Sequence, residues 1–211
     1  MTLFDRIVLL LTGLTAIYLV VRFIQDYRRE GRKPAYDIYY IVSFAVLLVA
    51  GLLLIANGYE VLSNPLVVIV AYLIPFCLAL GLVSEFYPNM EKGYLVFGVI
   101  GLIAIAVTRY MEVGGWSTVV LATWHSVAGL LIFFLPMLIV KGGRAASSFI
   151  WVSVGGFLIG VGGIALAFLK GGAPILSGDV IFMILAPILL LMSLSFTWGF
   201  VRKIMAYKHE G

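Results

Sequence analysis

The sequence predicts an all-α, polytopic integral membrane protein with seven transmembrane helices. Three observations carry that prediction. Of the 211 residues, 63% are apolar and only 11% charged, against about 25% charged in soluble domains. A fold in water would have too little polar surface to cover itself. The apolar runs last about 17 to 23 residues, which matches a hydrocarbon core about 30 Å thick at 1.5 Å of helix per residue. The basic residues collect at the ends of alternate runs, as topology signals do.

The first span runs from about Leu3 to Phe23. Asp5 precedes Arg6 and no A-x-A cleavage site follows, so it reads as a retained helix and not a signal peptide. Arg22, Arg28, Arg29, Arg32 and Lys33 come after it, and Pro34 closes the loop. The second span is about Tyr39 to Ala56, entered through the interfacial tyrosines Tyr36, Tyr39 and Tyr40 and ended by the turn Asn57-Gly58-Tyr59-Glu60. Pro65 is a favoured first position for the third, which reaches about Val83 with Pro75 inside. Ser84 to Gly93 reads as a polar loop.

The fourth span covers about Tyr94 to Tyr110 and carries Gly98, Gly101, Ala104 and Thr108 near one face. The fifth runs from about Thr118 to Val140 with His125 and Pro136 inside. The sixth runs from about Ser147 to Leu169, and the seventh from about Val180 to Val201 with Pro187 inside.

Seven spans put eleven bases on one side: Arg22, Arg28, Arg29, Arg32, Lys33, Lys92, Lys141, Arg144, Arg202, Lys203 and Lys208. Arg6, Arg109 and Lys170, three in all, fall on the other. That asymmetry predicts the N-terminus outside and the C-terminus in the cytoplasm of a multi-pass protein of the cell membrane. The net charge of +4 is therefore topological and implies no nucleic-acid partner. The expected partners are the bilayer itself and either a second copy or another membrane protein. Cys77 is the only cysteine, so no intrachain disulfide forms.

The sixth span organises the predicted bundle. Ser153, Gly156, Gly160, Gly163 and Ala167 recur at steps of three and four, leaving one helix face almost bare. In water such a glycine run argues against a helix. In lipid the backbone must bond to itself, and a bare face admits a close neighbour. The expectation is a central packing helix.

Within this single transmembrane domain (residues 1–211) two stretches share an order of residues that either a repeat or chance in a low-diversity apolar alphabet produces. Ser43 precedes Leu62-Ser63 and then Pro75, much as Ser153 precedes Leu176-Ser177 and then Pro187. The expected units are 1–83 and 118–201, with 94–110 as a connector, a three-plus-one-plus-three layout about an axis along the membrane normal. Sugar transporters of that layout share the helix count. The Pro-Gln dipeptide of some related carriers is absent, since Gln25 is the only glutamine.

His125 is the leading candidate for chemistry. It lies about two turns, roughly 10–12 Å, into the layer, on a face with Ala122 and Gly129. An intramembrane imidazole suits a proton relay or a polar contact with a permeant. The other candidates form an outer polar set: Asn57, Glu60, Arg109, Glu112, Lys170 and Asp179. With only His125, His209 and Cys77, no metal or haem ligand set is expected, and no cofactor. Gly115-Trp116-Ser117 has the look of a nucleophile turn, but Ser117 and His125 are about 12 Å apart along one helix, too far for proton transfer. A retinal protein, which needs a lysine in its last span, is not expected, because 180–201 contains none.

The expected function is a small transporter or channel for a neutral or weakly polar permeant, because no acid lies deep in a predicted span to couple a cation. The alternative is a structural or interaction subunit of a membrane assembly. A membrane enzyme acting on a lipid-soluble substrate, with His125 as acid or base, ranks third.

Overall fold

The computed structural model of the chain describes residues 1–29, 33–111, 113–170, 172 and 175–209, without the side chains of Ala167, Lys170, Tyr207, Lys208 and His209. Among the described residues seven helices are long and apolar enough to cross a membrane. They are α1 (Leu3–Tyr27), α2 (Ala35–Asn57), α3 (Pro65–Phe86), α4 (Glu91–Tyr110), α5 (Trp116–Lys141), α6 (Ile150–Lys170) and α7 (Gly178–His209).

The helix starts follow from local chemistry. Thr2 and Asp5 form a capping box on α1: the Asp5 N–H donates to the Thr2 hydroxyl, and the Thr2 N–H donates to Asp5 Oδ2 at 2.7 Å. Asn64 Oδ1 accepts from the Leu66 and Val67 amides ahead of Pro65 and so caps α3. Gly58, at a φ of 72°, ends α2 in the left-handed region that favours glycine.

Most spans extend beyond their sequence-predicted ends on the side where α1 finishes. There α1 runs on to Tyr27, α2 begins at Ala35, α3 continues to Phe86 and α7 reaches His209. This side, called the basic end below, also holds the start of α4 and the α5–α6 turn. The stretch expected as one polar loop, Ser84 to Gly93, is instead the last turn of α3, a 3-10 turn at Pro88–Met90 and the first turn of α4. Charged residues continue the helices because the backbone still bonds to itself while the side chains find partners.

Six helices form a closed ring. α1 packs on α2, α2 on α3, α3 on α5, α5 on α6, α6 on α7, and α7 returns to α1. α4 packs against α3 and α5. It seats closely because Gly98 and Gly101 carry no side chain: a Cβ at Gly98 would collide with the Phe76 ring, and one at Gly101 with the Trp124 ring. The Tyr72 hydroxyl donates to the Gly98 carbonyl at 3.3 Å and Trp124 Nε1 to the Phe97 carbonyl at 3.0 Å. Cys77 is free and buried in this layer with Tyr72, Phe76, Leu80 and Ile105.

The glycine helix is part of the ring wall and not its axis, because α6 packs on α5 and α7. Its two faces serve two neighbours. Gly155 faces α7, where a Cβ would lie 2.5 Å from the Phe196 ring. Gly156 faces α5, where a Cβ would lie 2.9 Å from Ile132 and 3.2 Å from its backbone. Ser153 is buried beside them. Further from the basic end the bare face loses its neighbour: a Cβ at Gly160 or Gly163 would meet nothing within 4 Å, and Gly163 is exposed. Gly129, on α5, is equally open. α5 and α6 therefore pack closely at Gly156 and leave room beyond it. The Ala167 side chain lies outside the described residues.

Candidate functional site

The ring interior is packed most densely toward the basic end. Phe23, Tyr40, Phe44, Phe86, Phe149, Phe196 and Phe200 are all buried there, from five segments of the chain. Apart from the stacked Phe23 and Phe44, their rings meet in tilted and edge-on pairs, for example Phe23 with Phe200 at 5.3 Å and Tyr40 with Phe200 at 4.8 Å. Edge-to-face packing of this kind sets a positive ring edge against a negative face. Gly81 on α3 is what lets Tyr40 enter, since a Cβ there would strike the Tyr40 ring.

One ion pair is enclosed in this aromatic packing. Lys203 Nζ lies 2.7 Å from Glu85 Oε1 and 2.5 Å from Glu85 Oε2, and the two side chains are only 3% and 4% exposed. The Tyr40 hydroxyl donates to the same Oε2 at 2.9 Å. Five rings surround the ammonium: Tyr36, Tyr40, Phe86, Phe149 and Phe200, at 5.1 to 5.9 Å from their centroids. Carboxylate and ring faces together replace the water that Lys203 loses. α7, α3 and α2 are thereby tied at a single point.

Smaller contacts flank the pair. Glu91 accepts from the Tyr39 hydroxyl at 2.8 Å and from the Ser84 hydroxyl at 2.9 Å, joining α4 to α2 and α3. Arg144 donates to the Phe86 carbonyl and stands 4.9 Å from the Tyr87 ring centroid, so the α5–α6 turn covers the end of α3. Sequence reading missed the Glu85–Lys203 pair. Lys203 appeared as a topology marker and Glu85 as a loop acid. The available signal was the flanking aromatic run on both sides, Phe86-Tyr87 and Phe196 to Phe200.

His125 lies in the other half of the bundle. It continues the inward stripe of α5 through Ala128, Ile132, Pro136 and Ile139, all buried. Its ring centroid is 5.6 Å from that of Tyr72, its Nδ1 is buried, and the Leu121 backbone one turn back lies within its reach. Arg109 is half-buried, within electrostatic reach of His125, and its Nε is also without a described partner. Gly51, on the inward stripe of α2, is buried, yet a Cβ there would meet nothing within 4 Å. This half is looser around Gly51 and His125, while Val8, Leu9, Leu54 and Ala186 pack together and are buried between α1, α2 and α7.

The remaining predicted site residues do not converge. Asn57 is exposed and donates back to the Leu53 carbonyl of its own helix at 3.1 Å. Glu60 is exposed in the 3-10 turn Tyr59–Ser63, and Asp179 is exposed in the first turn of α7. Glu112 lies outside the described residues. The described members form no ion pair with one another. Beside Glu60, Tyr59 stacks on Phe182 with centroids 5.0 Å apart. Burial, with the Asp5 carboxylate adding to the effect, pushes the Tyr59 phenol up to about 12. Ser117 donates to the Gly114 carbonyl. Among the described residues no three His, Cys, Asp or Glu side chains gather as a metal site.

Seven apolar helices of this length define a multi-pass membrane protein. No family model matches the chain, and no curated protein or solved structure is similar to it.

Proposed function

We propose that the chain is a small carrier or channel of the cell membrane for a neutral or weakly polar permeant. Its pathway follows the axis of the six-helix ring, with the basic end in the cytoplasm by the positive-inside rule. The observation that carries this reading is the contrast along that axis. One end is shut by aromatic side chains and the Glu85–Lys203 pair, while the other half has Gly51 and Gly129 beside open space and His125 on the inward stripe of α5. An ion pair that ties three helices at one end is a gate: parting it frees α7 from α3 without breaking any helix.

The order of contacts around the ring supports the same reading. Exchanging α1, α2 and α3 for α5, α6 and α7 turns every neighbour pair in the ring into another neighbour pair. Two three-helix units about an axis along the membrane normal have that property, with α4 as the connector. Ser43 and Ser153 are buried at corresponding places on α2 and α6, and Pro75 and Pro187 lie inside α3 and α7.

The test is solute permeability of vesicles containing the purified protein, read by osmotic swelling across a panel of small uncharged solutes. Flux above protein-free vesicles for some solutes, lowered by His125→Ala, is expected. Permeability equal to protein-free vesicles across the panel, with the protein verified as folded, would reject the reading. A second reading, a subunit of a membrane assembly, is favoured by the open Gly160 and Gly163 flank, which has the small residues that a helix from another chain packs against.

A further inference from the structure

The ring has two seams between its three-helix halves, α3–α5 and α7–α1. α4 packs against the first. The second has no such covering helix among the described residues, and two cavities lie along it. The one nearer mid-span has a volume of about 330 Å³ and is lined by Leu11, Leu14, Thr15 and Tyr18 of α1 with Leu190 and Leu194 of α7. It is an apolar groove, and Leu11, Leu14, Tyr18 and Leu194 are exposed. At its back the Thr15 and Ser193 hydroxyls meet at 2.5 Å. Thr15 also donates to the Thr12 carbonyl, so Ser193 is the donor between them. That clasp leaves no polar atom of either side chain seeking a partner in the groove.

The second cavity, about 230 Å³, lies at the basic end and is lined by Arg22, Gln25, Asp26 and Arg29 of α1 with Ile204 of α7. Its charges do not cancel. Asp26 is 3.0 Å from Arg29 and forms an ion pair with it. Arg22 has no hydrogen bond or ion pair among the described residues, and its Nε is buried. The Arg22 guanidinium, without a partner among the described residues, and the Gln25 amide therefore line a polar pocket at the basic end. Leu11, Leu14, Tyr18, Arg22, Gln25 and Arg29 recur at steps of three and four, so groove and pocket share one face of α1. Tyr18 and Arg22 are one turn apart, about 6 Å.

We infer that the α1–α7 seam is a binding site for an anionic phospholipid, with one acyl chain in the apolar groove and the phosphate on Arg22. An amphiphile matches both cavities in the order in which they occur. The apolar groove has nothing to offer a free anion, and an apolar helix from another chain would leave Arg22 unpaired in lipid. The inference does not depend on transport.

The experiment is native mass spectrometry of the delipidated full chain offered equal amounts of phosphatidylglycerol and phosphatidylcholine with the same acyl chains. Several-fold retention of phosphatidylglycerol is expected. Arg22→Gln should lower that preference about fivefold, the worth of one basic residue at the membrane surface. Leu14→Trp, which fills the groove from its exposed side, should lower retention of both lipids. Arg28→Gln, at an exposed position outside the pocket, should lower the preference clearly less than Arg22→Gln does. Equal retention of the two lipids overturns the inference. So does an Arg28→Gln loss as large as that of Arg22→Gln, displacement of the lipid by millimolar inorganic phosphate, or a wild-type dimer that carries no lipid and that Leu14→Trp separates.

Discussion

Lys203 and Glu85, 118 positions apart in sequence, share two contacts of 2.5 and 2.7 Å inside a shell of aromatic rings. A pair this buried is better evidence for a specified geometry than for stability, since an apolar replacement of both partners often costs little. Removing one partner leaves the other charged in a dry site. Lys203→Met and Glu85→Gln should each destabilise the protein by about 3–5 kcal/mol, and the double variant should recover most of that loss. Unfolding in mixed micelles measures the cycle. Strictly additive single effects would show that the two groups do not act as a pair.

The two halves of the α6 glycine flank should respond in opposite ways. Gly156→Ala pushes a methyl against Ile132 and the α5 backbone and should cost about 1–3 kcal/mol. Gly160→Ala enters open space and removes a flexible residue from a helix, so stability should stay level or rise by about 0.5–1 kcal/mol. Thermal unfolding of the two variants in the same detergent decides between this and uniform packing along the flank.

Cys77 reports on the seating of α4. It is 7% exposed in the layer between α3 and α4, and a wild-type chain should react slowly with a membrane-permeant maleimide. Gly98→Leu, at the point where α4 touches Phe76, should lift α4 and speed the reaction at least about tenfold, equivalent to 1.4 kcal/mol of easier opening. Unchanged labelling would mean that α4 contributes little to covering α3.

Tyr59 stacks on Phe182, but its hydroxyl is buried without a described partner. Tyr59→Phe keeps the stack and removes the unpaired group. The expected result is an unchanged or higher melting temperature, with a gain of up to about 1 kcal/mol. A clear loss would mean that the phenol oxygen has a partner in the membrane, such as a lipid headgroup or water.

The sequence by itself determined the membrane class, the number of spans and the face on which each small residue lies. Those are one-dimensional properties: run length is set against bilayer thickness, and helical periodicity assigns faces. It misplaced the span ends at the basic side, because a charge reads as the end of an apolar run, whereas α3 passes through Glu85 and α7 through Lys203 as unbroken helices. It also read the bare flank of α6 as the centre of the bundle. Periodicity gives the direction of Gly156 and Gly160 from the helix axis but not which neighbour stands there, or whether any does. Only the tertiary structure decided that α4 lies beside the ring, that Gly156 touches α5 while Gly160 does not, and that the lysine near the end of the chain meets the last turn of the third helix. Each of these is a contact between residues far apart in the chain, and it exists only once packing has chosen which faces meet.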